Sequence, residues 1–157
     1  MFRIPLSQGA DPMINTKDMR NLRSTKKLYD FIVKDVCEKY GLGRPELDII
    51  AFLHGNSGMD VASDIVDYCI LSKANVSQAV DRLIRKQLLV KVVDADDRRR
   101  IHLSLTETAA LIVEDFDRAY ELFRCVLVSG ISAEELAVYD EVSRRMADNA
   151  INFFELK

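Results

Sequence analysis

Apolar positions recur at two different periods along this chain, and the changes of period divide it. From about Thr16 to Tyr40, Leu28, Phe31, Ile32, Val36 and Tyr40 recur at helical spacing, and Gly41 and Gly43 follow where such a helix would stop. RPELDIIAFLHG repeats the pattern, with Pro45 suited to a first helical turn, Leu47, Ile50, Leu53 and His54 along one stripe, and Gly55 at the end. A short helix from about Asp60 to Tyr68 and a connector of Cys69, Ile70 and Leu71 lead to SKANVSQAVDRLIRKQLL. There Ser72 is a good N-cap for a fourth helix whose Val76, Val80, Leu83 and Ile84 face inward.

The period then drops from about 3.6 to about 2. LVKVV and IHLSL read as two short strands, joined by DADDRR into a hairpin. Beyond Thr106 the helical period returns, with Ile112, Phe116, Ala119, Phe123 and Val126 spaced like a coiled-coil seam. A last helix, opened by a capping box from Ser132 to Glu135, carries Leu136, Tyr139, Val142, Met146 and Phe153. Together the two stripes hold more apolar surface than a small lobe covers by itself. They predict a homodimer built through Ile112, Phe116, Phe123, Leu136, Tyr139, Met146 and Phe153.

Short helices followed by a hairpin are the parts of a winged helix-turn-helix. The expected fold is therefore mainly α, with a two-stranded β-hairpin wing and flanking N- and C-terminal dimerisation helices. The DNA-binding lobe would span about residues 44–106, and the dimerisation helices about 14–40 and 107–155.

Charge sharpens this picture. The 157 residues carry a net charge of −3, which by itself argues against a nucleic-acid partner. From Ser72 to Thr106, however, eight basic residues face four acidic ones, so an acidic body carries one basic segment. Such a segment can present a local positive surface to phosphates. On the outer face of the fourth helix, Asn75 and Gln78 can each pair two ways with adenine, Ser77 can donate or accept, and Lys73 or Arg82 can meet guanine or phosphate. Ser72, Lys73, Asn75, Ser77, Gln78 and Arg82 are thus the candidate base-reading set, with double-stranded DNA as the partner.

From these residues a family resemblance emerges. DADDRRRIHLSLTETA resembles the wing of the MarR (multiple antibiotic resistance regulator) family of bacterial transcription factors, in which an Asp-x-x-Asp-Arg-Arg tip precedes a strand ending in Ser-Leu-Thr. SKANVSQAVDRLIRKQLL resembles that family's recognition helix. The resemblance covers roughly Leu42 to Leu111 in motif and the flanking helices in layout, and implies a single MarR-like domain over 1–157. It departs at Val66 and Ile70 in the helix-turn-helix, at Gln87, where glycine normally ends the recognition helix, and at Lys91, a position often held by arginine. It implies that Arg99 enters the minor groove, that Asp97 orients its guanidinium, and that Arg98 meets the DNA backbone. It further implies a ligand-responsive repressor acting as a homodimer on a palindromic operator, with a small, often aromatic acid as effector. Tyr29, His54 and Tyr120 look too scattered in sequence to nominate its pocket.

Other classes fit poorly. His54 and His102 are the only histidines, and neither lies near a nucleophile motif; a core His54 and a surface His102 are expected. There is no Gly-rich phosphate loop and no H-E-x-x-H, so no enzyme activity, cofactor or metal is expected. Cys37, Cys69 and Cys125 form no C-x-x-C pair and read as reduced, mostly buried thiols. Neither a membrane span nor a signal-peptide h-region is evident, which predicts a cytoplasmic protein with no membrane partner. The competing reading is a winged-helix module that contacts proteins without reading a specific DNA site. An arginine-tipped hairpin beside a polar helix face argues against it.

Overall fold

The computed structural model of the protein describes residues 16–69, 71–97 and 99–155. Arg98 in the wing, Ile70 in the turn and positions 14–15 of the first helix lie outside the described residues. The elements run α1 (Thr16–Tyr40), α2 (Arg44–Gly55), α3 (Ala62–Cys69), α4 (Lys73–Arg85), β1 (Leu89–Val93), β2 (Ile101–Leu105), a single 3-10 turn (Glu107–Ala109), α5 (Ala110–Leu127) and α6 (Ala133–Glu155). The winged helix-turn-helix order holds, and so does the hairpin: β1 and β2 pair antiparallel, with Leu89 opposite Leu105 and Val93 opposite Ile101.

Each boundary has a local cause. Gly41 adopts φ +59°, a left-handed turn that L side chains resist, and this ends α1. Pro45 sits in the first turn of α2, where its missing N–H leaves nothing unpaired. Ser72 Oγ accepts from the Asn75 N–H at 3.2 Å and so starts α4. The Ser132–Glu135 pair forms its reciprocal box, at 2.8 and 3.2 Å, ahead of α6. One boundary moves. The third helix was expected from Asp60 but begins at Ala62, because Val61 bridges to His102 and the Asp60 carbonyl accepts from the Leu103 N–H at 2.8 Å, holding both residues extended against the hairpin.

The described residues fall into two compact units, one closing at Phe123 and one opening at Arg124. The core of the first is a continuous cluster of Val33, Val36, Leu47, Ile49, Ile50, Ile65, Val76, Leu83, Leu89 and their neighbours, drawn from α1 to β1. Fully burying such a side chain contributes roughly 1.5 to 3 kcal/mol, so α2, α3 and α4 are held as one body. Ile112 and Phe116 belong to this same core, and Phe123 is buried too, packing edge-on against Tyr29 with ring centroids 5.3 Å apart. Those three members of the predicted dimer seam therefore already find cover within the chain. In the second unit, Tyr139, Val142 and Met146 lie at helical spacing on α6 and are 68%, 46% and 66% exposed; Leu136 is half-buried and Phe153 is exposed.

Candidate DNA interface

α4 divides its residues cleanly between two faces. Val76, Ala79, Val80 and Leu83 are buried against α2 and α3, while Ser72, Lys73, Asn75, Ser77 and Gln78 are exposed. The hairpin stands beside this helix. A groove of about 380 Å³ separates them, lined by Val66 of α3, Lys73, Ser77 and Val80 of α4, and Lys91 and Ile101 of the strands. Lys91 Nζ lies 3.7 Å from an Asp81 carboxylate oxygen, an exposed pair that spans the two elements. The polar helix face and the wing thus belong to one surface.

Arg82 differs from the rest of its set. Its Nε donates to Glu46 Oε1 at 2.8 Å, and Glu46 is only 2% exposed. Glu46 also accepts from the Gly43 N–H at 2.5 Å and lies 3.5 Å from Lys86 Nζ. Burial pushes its carboxyl up, but the Gly43 N–H and the two cations outweigh burial and hold it below the usual carboxylate range. Arg82 is thus an α2–α4 tie as well as a surface residue, and its Nε is engaged inward.

The wing tip is built around Asp94. Its Oδ1 accepts the N–H groups of Asp96 and Asp97, both at 2.8 Å, which closes an Asx turn. Its Oδ2 faces His102 Nε2 at 2.9 Å. The two backbone bonds and the imidazole hold the Asp94 carboxyl well below the usual range. Asp97 behaves differently from its expected role: its carboxylate accepts from the Arg99 backbone N–H at 3.0 Å, and no described ion pair reaches the Arg99 guanidinium. It shapes the loop from which an exposed Arg99 projects and does not grip the side chain.

The expected histidine roles are reversed. His54 is exposed and pairs with Asp117 at 3.3 Å, because it comes in the last turn of α2, past that helix's buried stripe. His102 is half-buried, held between Asp60 and Asp94 where the hairpin meets the segment before α3. The thiols also differ from expectation. Cys37 and Cys69 are half-buried, with burial pushing both pKa values up, but Cys125 is exposed near the end of α5.

Sequence reasoning missed three features. Glu46 and Arg82 are 36 residues apart, and Asp60 and His102 are 42 apart. No periodicity reports such pairings. Tyr29 and Tyr120, which look unrelated in sequence, converge on Phe123 at centroid distances of 5.3 and 5.9 Å, and the Arg44 guanidinium lies 4.2 Å from the Tyr29 ring centre. Burial, followed by the Asp48 charge, raises the Tyr29 phenol to about 12.

Residues 40–100 match the model of the MarR family. Over those residues the chain resembles the MarR family. MhqR of Bacillus subtilis, an HTH-type transcriptional regulator, is 27% identical over 133 residues, covering 83% of this chain and 89% of that protein. Among solved structures, the transcriptional regulator PA3341 superposes with a TM-score of 0.77 at 20% identity, covering 87% of this chain and 97% of that one. The Staphylococcus aureus MepR–DNA complex gives a TM-score of 0.67 at 21% identity, with 87% and 99% covered. These likenesses in fold cover most of the chain. No described helix is long and apolar enough to cross a membrane.

Proposed function

We propose that this chain is a sequence-specific DNA-binding transcriptional regulator that acts as a homodimeric, ligand-responsive repressor on a palindromic operator. One observation carries this reading: the exposed polar face of α4, with Lys73, Asn75, Ser77 and Gln78, stands across a single groove from a hairpin whose tip exposes Arg99. A recognition helix of this chemistry fits the major groove, and an arginine-tipped wing fits the flanking minor groove. The likeness to a regulator solved on DNA supports the same docking. The exposed stripe of Tyr139, Val142 and Met146 supports pairing of two copies. The aromatic cluster of Tyr29, Tyr120 and Phe123, capped by Arg44, suits a small aromatic acid as effector.

Selection of bound fragments from sheared genomic DNA tests this proposal. The expected result is an inverted repeat whose half-site centres lie about 10 bp apart, one helical turn. Fragments recovered without a shared sequence would instead favour a winged helix that contacts proteins.

A further inference from the structure

His102 lies where two parts of the lobe meet. Its Nδ1 is 2.6 Å from Asp60 Oδ1, on the segment before α3, and its Nε2 is 2.9 Å from Asp94 Oδ2, at the base of the wing tip. The backbone joins the same two segments, through the Val61–His102 bridge and the Leu103 N–H to Asp60 carbonyl bond. A neutral imidazole has one N–H, so one of two facing carboxylates would meet a ring lone pair; only the imidazolium donates to both. Of the other charged groups nearby, Asp64, Lys91 and Asp97 are engaged elsewhere, and Asp96 is an exposed carboxylate at the wing tip. Asp64 accepts from the Val61 N–H at 3.3 Å, and Lys91 pairs with Asp81. Asp96 and Asp97 turn their backbone N–H groups to Asp94.

We propose that His102 is a positioning residue for the wing, whose imidazolium clamps the hairpin to the segment before α3 and makes the presentation of Arg99 depend on protonation. Asp94 is the link between clamp and tip, since one of its oxygens faces the imidazole while the other closes the Asx turn. The two carboxylates, Asp94 first and Asp60 second, raise the His102 pKa above its ordinary value. The sign follows. A histidine raised on folding contributes stability that is fully present below its unfolded pKa, about 6.5, and is lost as pH rises through the higher folded value. The wing is therefore held most firmly on the acid side of neutrality and loosens above the folded midpoint. The DNA part of this inference rests on the proposed function; the clamp does not.

The test has a DNA-free arm and a DNA arm. His54 and His102 are the only histidines, so a His54→Gln chain shows one imidazole titration by NMR. Its midpoint should lie above the ordinary histidine range, and Asp60→Asn, which removes one arm while keeping the Asx turn, should bring it down. Protection factors of the Asp96, Asp97 and Arg99 amides, which correct for the base catalysis of exchange, should fall across the same midpoint. In the second arm, binding of a labelled mixed-sequence DNA duplex by wild type should weaken roughly threefold to tenfold as pH rises through the midpoint, as loss of a charge-assisted hydrogen bond implies. His102→Gln should show a flatter profile. A midpoint at or below the ordinary histidine value, or one that Asp60→Asn leaves in place, overturns the clamp. Equal pH profiles for wild type and His102→Gln overturn its coupling to DNA. If no DNA binds at any pH, the proposed function fails while the NMR arm still decides the clamp.

Discussion

At the scale of single residues, Glu46 and Gln87 carry the clearest consequences. Glu46 is the one buried charged side chain among the described residues, and it survives burial because the Gly43 N–H, Arg82 and Lys86 surround it. Removing one partner of a fully buried pair costs about 3 to 5 kcal/mol. Arg82 is 42% exposed and Lys86 remains, so Arg82→Ala should cost about 1 to 2 kcal/mol in urea denaturation. The pH dependence has a fixed sign. The Glu46 pKa is lowered on folding, so its contribution is present above the unfolded carboxyl value and is lost as pH falls through the lower folded value. Glu46→Gln should therefore flatten the loss of stability on acidification. Gln87 is the only described non-glycine residue with positive φ, at +59°. An L side chain there is strained by roughly 1 to 2 kcal/mol, partly offset by the extra chain entropy of a glycine replacement. Gln87→Gly should stabilise the protein by about 0.5 to 1 kcal/mol, read as a higher urea midpoint at unchanged slope.

At the scale of elements, the local signals in the sequence were strong and the distant ones silent. The span of α1, both strands, the Ser72 cap and the Ser132–Glu135 box were legible because each is set by residues within a few positions of one another. The odd position of Gln87 was legible too, as a non-glycine at a glycine site, and the left-handed backbone there is its physical cause. The start of α3, the inward engagement of Arg82 and the placing of His102 were not legible. Each depends on a polar contact between segments far apart in sequence, which no periodicity encodes. The same division guides a test of α4. Ser72→Ala should cost about 1 kcal/mol of stability by releasing the Asn75 N–H, measurable as a lower urea midpoint.

At the scale of the whole molecule, an acidic body carries one basic segment, proposed to face DNA, and a helix with an exposed apolar stripe, proposed to pair with a second copy. Sedimentation at low micromolar concentration should show twice the 17.9 kDa chain mass, and charged replacements such as Tyr139→Glu with Met146→Glu should return it to the monomer. Peroxide should leave DNA binding unchanged, since burial pushes the Cys37 and Cys69 thiols away from the reactive thiolate and the exposed Cys125, on α5, lies outside the elements proposed to meet DNA. The central claim is that α4 reads bases while the wing holds the backbone and minor groove, and one measurement tests it most directly: the salt dependence of affinity for the selected operator and for a scrambled duplex, compared across wild type, Gln78→Ala and Arg99→Ala. Gln78→Ala should lose about 1 to 3 kcal/mol on the operator, with little change on the scrambled duplex or in the salt slope. Arg99→Ala should weaken both duplexes and reduce the slope of log K against log salt by about two per dimer. Equal affinities for operator and scrambled duplex in the wild type, or an Arg99→Ala chain with undiminished affinity and slope, would contradict the account.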